Sequence, residues 1–342
     1  MHTPIKFSRR SFMVMPLAFA ACKPSAEVFE ISGLTMGTSY NIVAVDKGSN
    51  VARADLQAAI DTALTEVNGQ MSNWDSGSEI SRFNAVQTGD AFEMSGPLGH
   101  VMQAAADVNL RSEGRFDTTM GPLIELWGFG APGERSMPAD VEIERALAAS
   151  GHDNTLSVGE TSLSKVRGDA QVYLAAIGKG YGADRVATAL ESLGISDYMV
   201  EIGGDLYASG RNPSGQPWQI GIEKPDSLTR GVLDVVGISG VGLASSGDYR
   251  NYFERDGKRF SHVIDPATGR PIEHHTAAAT VIAENGMMAD AWATAMLTLG
   301  RERGLEIAEA HDIAVVFIER DHAAGEGQFK THASSRFGAM TA

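Results

Sequence analysis

From Asp197 to Ile264 the sequence offers strand after strand with no helix between them. "DYMVEIGGDLYASG" reads as a strand, a Gly-Gly turn and a second strand; "WQIGIEKP" reads as another, and "VVGISGVGLASSGDYRNYFERDGKRFSHVI" as mostly strand. Near the start, "VFEISGLTMGTSYNIVAV" gives two strands around a turn at Met36-Gly37-Thr38, and "DIAVVFIE" gives a late strand. Helical spacing shows at Leu56, Ile60, Leu64 and Val67 after Val51, in a stretch around 98–113, at Val141–Ser150 after the polar loop 131–140, and in the apolar "GMMADAWATAMLTLG". "AQVYLAAIGKGYGADRVATALESLG" reads as a strand running into a helix. Runs of strand with few helices favour an α+β fold of mixed or antiparallel sheets flanked by helices, and disfavour a regular doubly wound sheet. A chain of 342 residues that is 43% apolar can bury a substantial core, as one large domain or two modest ones.

The first 21 residues read as an export signal. Arg9 and Arg10 precede a short apolar run, Phe12–Ala21, too short to span a bilayer. Paired arginines point to the route that carries folded proteins. Cys22, the single cysteine, follows Ala20 and Ala21 as a lipoprotein signal requires; cleavage after Ala20, giving a soluble exported protein, is the alternative. Residues 22–28 read as a tether and 29–342 as the folded unit. Removing 1–21 takes Lys6, Arg9 and Arg10 from 28 basic residues and none of the 43 acids, leaving a net charge of −18. Such a surface excludes nucleic acid as a partner.

Two groups suited to proton chemistry bracket one hairpin. Asp248 precedes it, His262 stands at its exit, Asp256-Gly257 forms its turn, and "DPATG" follows as a second tight turn. A hydroxyl nucleophile needs a base with a pKa near neutrality, which histidine supplies. A lone strand histidine is otherwise structural. Asp290 and Thr294 share one helix face. A buried carboxylate there needs a partner, and a hard cation such as Mg²⁺ takes a carboxylate, a hydroxyl and backbone carbonyls. Alternatively Asp290 is a helix-start acid favoured by the dipole and Thr294 simply packs. In "AAIGKGYGADR" the glycines and Lys179 could cradle phosphate or serve close helix packing, without P-loop spacing. Asp117, after Phe116 in a turn, could hold a nucleotide edge. Trp74, in the loop before a helix start at Ser78, could stack on a ring or anchor the surface. Trp127 and Phe129 read as core.

Taken together, "TMGTSYNI", "MSNWDSGSEISRFN", "GRFDTTMGPLIELWGFG", "LAAIGKGYGADRVA", "MVEIGGDLYASG", "SSGDYRNYFERDGKRFSHVIDPATGRPI" and "MMADAWATAMLTLG" resemble the FAD:protein FMN transferase family, also called the ApbE family. The segments are collinear and run from about Phe29 to Gly300. The resemblance implies a single α+β catalytic domain that binds FAD and Mg²⁺. It would move FMN from FAD to a Thr or Ser hydroxyl of a target protein and release AMP, from a lipid anchor on the periplasmic face of the membrane. It implies that Met36 and Trp74 line a flavin or adenine pocket, and that Arg115, Phe116 and Asp117 hold part of the nucleotide. Ala175, Tyr181 and Ile264 would flank FAD. The metal ligands would be the Gly178 carbonyl, Asp290 and Thr294, with Ala293 a further carbonyl ligand. His262 would deprotonate the acceptor hydroxyl and Asp248 would orient that hydroxyl or assist the base, with the two roles exchangeable. Three departures from the family pattern leave these groups in place: Gly178 for alanine, Thr118 for proline and Trp74 for tyrosine. A Mg²⁺-dependent FAD pyrophosphatase and a non-catalytic flavin-binding lipoprotein are the alternatives.

Overall fold

The computed structural model describes residues 26–130, 135, 137–226, 231–321, 323–325 and 327–341; the export segment and Cys22 lie outside them. Eight strands form one sheet whose spatial order is also their chain order: Glu27–Thr35, Thr38–Asp46, Asp197–Ile202, Asp205–Ser209, Val241–Gly247, Thr276–Ala283, Ala314–Arg320 and Phe329–Ala333. Every pairing is antiparallel. This is the α+β architecture that the strand runs imply. The first strand starts at Glu27, inside the segment read as tether, because Val28 already pairs with Val45 while Phe29 and Ile31 turn into the core.

Side-chain alternation gives the sheet two buried faces. Tyr40, Ile42, Val200 and Ile202 pack against Leu56, Ile60, Leu64 of the helix Arg53–Met71 and Val186, Leu190 of the helix Gly178–Ser192. Further along the same layer, Ala244, Ala279, Val281, Val315 and Phe317 pack against the long helix Gly286–Ala310. On the opposite face, Leu243, Ile282, Val316 and Ile318 meet Trp218, Ile220 and Ile238 of the two-stranded ribbon Trp218–Glu223/Val232–Ile238, together with Phe337. Two tight hairpins use the left-handed region that their turns need: Met36 (φ 49°) with Gly37 (φ 73°), and Asp256 (φ 52°) with Gly257 (φ 73°).

Two elements differ from the sequence expectations. The residues before the Gly178 helix form no ladder, because side-chain amides take their backbone groups. Val172 N donates to Asn84 Oδ1 (2.8 Å), Leu174 N donates to Asn73 Oδ1 (3.2 Å), and Val172 O accepts from both amides at 2.6 and 2.9 Å. The helix that starts at Gly286 does not stop at Gly300. Gly300 breaks the spiral with φ 72°, and the helix resumes after Arg301 N donates to Thr276 Oγ1 (3.1 Å).

The two helices that matter most to function touch backbone to backbone. A Cβ on Gly180 would lie 2.0 Å from Gly286 O, whereas one on Gly178 would meet nothing within 4 Å. Gly180→Ala is therefore expected to cost about 1–3 kcal/mol through forced separation of the helices, and Gly178→Ala to be neutral or to gain about 0.4–1 kcal/mol. Urea unfolding of the pair checks this; equal stabilities would remove the close contact as a constraint.

Candidate active site

A cavity of about 330 Å³ opens beside the middle of the sheet, between the Gly178 and Gly286 helices and the segment that follows the 252–261 hairpin. A second lobe of about 170 Å³ adjoins it, and Ala175 and Lys179 line both. Arg115, Phe116, Asp117, Ile264, His262, Asp290 and Thr294 line the larger lobe. Met36, Trp74 and Gly178 line the smaller one. Trp74 is 61% exposed and meets Tyr173 edge-on at 6.4 Å, so its ring face is open to a planar ligand.

The histidine side is built by an aromatic stack. Phe253 and Phe260 stack across the hairpin at 5.2 Å, Phe260 stacks on buried Trp127 at 5.9 Å, and Trp127 Nε1 donates to Gly269 O at 2.8 Å. This fixes both ends of the segment that carries His262. Its backbone N donates to Asn251 O (2.9 Å), and its Nδ1 lies 3.0 Å from the same carbonyl. A carbonyl only accepts, so Nδ1 carries the proton and Nε2 of the neutral ring is the free base. Burial lowers the His262 pKa from its ordinary value, against the pull of the Asn251 carbonyl and the Asp248 charge. In the "DPATG" turn, Asp265 accepts from Ala267 N and from Arg115 Nη1 (2.5 Å), which aligns Arg115 along the cavity.

The opposite side carries the charge. Asp290 sits in the second turn of its helix, nearly fully buried, so the dipole at the helix start does not account for it. Gly180 N donates to its Oδ2 at 3.1 Å, and Lys179 Nζ lies 3.4 Å from Oδ1. Lys179 is held more tightly by Asp205, at 2.5 Å. Burial, and then the charge of Asp290, push the Asp205 carboxyl up to about 7. Burial works against the Lys179 charge, yet the two carboxylates more than offset it and raise its pKa. Thr294 lies one turn beyond Asp290, with its Oγ1 3.2 Å from Ser246 Oγ. The described residues hold no group of three or more His, Cys, Asp or Glu placed to hold a metal ion. One buried carboxylate, a hydroxyl and the carbonyls near Gly178 nonetheless suit Mg²⁺, which takes few protein ligands and completes its shell with water and phosphate oxygens.

The profile of the ApbE family matches residues 36–317, the stretch that holds every group just described from Met36 to Thr294. The chain belongs to the ApbE family. It is 42% identical to the FAD:protein FMN transferase of Haemophilus influenzae over 96% of each chain. It is 36% identical to that of Escherichia coli over 97% of each. Among solved structures it is similar to flavin transferase ApbE from Vibrio cholerae, with a TM-score of 0.84 and 41% identity over 92% of this chain and 99% of that one. The apo form of Pseudomonas stutzeri flavinyl transferase ApbE gives 0.83 and 37%, over 92% and 97%.

Three residues stand elsewhere than an ApbE-like reading of the sequence places them. Tyr181 is two positions from Lys179, about half a turn around the helix, so it faces away and lines a separate cavity with His100 and Asp184. Ala293 lies on the fully buried side of its helix and borders neither lobe. Asp248 does not line the cavity, since Arg320 takes both its oxygens, at 2.5 and 2.9 Å. From there its charge bears on His262. Asp205 was not singled out in the sequence. Its signal is an acid that opens an apolar strand directly after the Gly203-Gly204 turn.

Asp248→Ala should cost about 3 kcal/mol by stranding the Arg320 guanidinium. Combining it with Arg320→Leu should recover part of that loss. Urea unfolding of the single and double variants checks this, and strictly additive losses would show that the pair is not coupled.

Proposed function

We propose that the chain is an FAD:protein FMN transferase, which moves FMN from FAD to a Thr or Ser hydroxyl of a target protein in a Mg²⁺-dependent reaction and releases AMP. The observation that carries this reading is a two-lobed cleft whose junction holds Lys179 between Asp205 and Asp290, facing a histidine whose free nitrogen is fixed by Asn251. The lobes suit the two ring systems of a dinucleotide, one against Trp74 and Met36, the other against Phe116 and Ile264. The junction suits the pyrophosphate between them.

His262 Nε2 takes the proton of the acceptor hydroxyl as its oxygen bonds to the flavin-side phosphorus. The bond from that phosphorus to the bridging oxygen breaks, and the electron pair leaves with AMP. Arg115, held by Asp265, lies along the larger lobe where it can bind the nucleotide. Mg²⁺, held by Asp290, Thr294 and the Gly178 carbonyl, would supply counter-charge to the pyrophosphate. An acidic chain needs that counter-charge to accept an anionic substrate. Our reading places the enzyme on the periplasmic side of the cytoplasmic membrane, tethered by a lipid on Cys22. No helix of the described residues is long and apolar enough to cross a membrane.

Mass spectrometry of a candidate acceptor domain incubated with the protein, FAD and Mg²⁺ tests the reading. Covalent FMN on a Thr or Ser supports transfer; free FMN alone in the presence of that acceptor would favour the pyrophosphatase. His262→Ala should lower transfer by about 10²–10⁴-fold while FAD binding persists. A base must be neutral to act. Because burial lowers the His262 pKa below its ordinary 6.5, the wild-type rate should hold at neutral pH and fall on acidification with a midpoint below 6.5. An acid limb that survives in His262→Ala would assign it to another group. Asp290→Ala should abolish transfer, and EDTA should do the same to the wild type with rescue by Mg²⁺. Full activity in EDTA would remove the metal from the reading.

A further inference from the structure

Among the described residues, Lys179 is the one side chain with a charge that borders both lobes. Its ammonium faces two carboxylates, Asp205 and Asp290, whose side chains are only 4% and 3% exposed. One ammonium between two carboxylates leaves the cluster short of cationic charge in a poorly solvated place. The contacts are unequal: 2.5 Å to Asp205 but 3.4 Å to Asp290, at the limit of a hydrogen bond. Asp290 keeps a firmer neutral partner in Gly180 N, which holds its other oxygen in place. Lys179 is therefore poised on the metal-binding carboxylate without being locked to it, and its side chain is 28% exposed toward the cleft.

We propose that Lys179 is a resident counter-ion that a divalent cation displaces from Asp290, so that the ammonium, still held by Asp205, turns its remaining donors to the phosphates of the nucleotide. This rests on the transferase reading above. With the metal on Asp290, Lys179 keeps Asp205 as its partner at 2.5 Å, and the ammonium's remaining donors are open to the phosphates. The metal brings two further positive charges to the junction, which is what a pyrophosphate needs. Metal and nucleotide would each strengthen binding of the other, and by the same factor.

Two measurements decide it. In the wild type, amine-reactive labelling followed by peptide mapping should show Lys179 becoming more reactive on adding Mg²⁺ alone, then protected on adding FAD as well. In calorimetric titrations without FAD, Lys179→Met should bind Mg²⁺ about tenfold more tightly or better, since the competing cation is gone. At saturating Mg²⁺ the same variant should bind FAD about tenfold more weakly or worse, since a charge-assisted phosphate contact is lost. Lys179→Arg, which keeps the charge, should not show the tighter metal binding. Labelling of Lys179 that ignores Mg²⁺, or a folded Lys179→Met protein whose Mg²⁺ affinity is unchanged or weaker, overturns the exchange. A wild-type protein that binds Mg²⁺ but no FAD would overturn the transferase reading, a result distinct from either.

Discussion

A carboxylate buried between two helices is the constraint from which the functional half of the molecule follows. Asp290 has almost no water, so its oxygens must be satisfied from the Gly178 helix, by Gly180 N and by Lys179. That is possible only where the two helices approach at Gly180 and Gly286, where any side chain would intrude. Asp184 closes the same joint from the other direction, accepting from Gly286 N at 2.7 Å and Met287 N at 2.8 Å. Gly180 and Gly182 of "GKGYGADR" thus serve close packing, and through it Gly180 sets the electrostatics of the cleft.

The proton-handling side is held independently. His262 depends on Trp127, Phe253 and Phe260, a small cluster apart from the core that supports Asp290. The two meet across the strand Val241–Gly247, where Ser246 reaches Thr294 and Gly247 leads into the segment carrying Asn251. A base and a charge site can therefore vary in their own surroundings while the sheet keeps their separation.

The strands, most helices and both type I′-like turns were legible because they rest on local pattern: alternation, helical spacing, Asp-Gly and Met-Gly pairs. Asp290, Thr294 and His262 were legible through the residues around them, and the cleft collects all three. What escaped was long-range. Asp248 and Arg320 are 72 positions apart, and nothing near either residue marks the other as its partner. Asn73 and Asn84 replace a strand ladder at Val172 from 99 and 88 positions away, so a segment with strand composition is not a strand. Tyr181 was misplaced because a motif gives order along the chain, whereas the side of the helix is set by angle. Asp205 is an ordinary acid in sequence and becomes distinctive only beside Lys179 and Asp290.

The sheet's two edges are the first and last strands of the described chain, Glu27–Thr35 on one side and Phe329–Ala333 on the other. Met36 lines one end of the cleft and Thr298 the other, so the site closes only across most of the sequence. During synthesis, then, the nascent chain has no partial cleft to fill. Until the helix that carries Asp290 has emerged, Lys179 and Asp205 have no third member, and the apolar faces awaiting that helix stay open. Such a topology leaves apolar surfaces unfinished, and in need of protection, until most of the chain is available. Ligand capture becomes a sign that the whole chain is assembled.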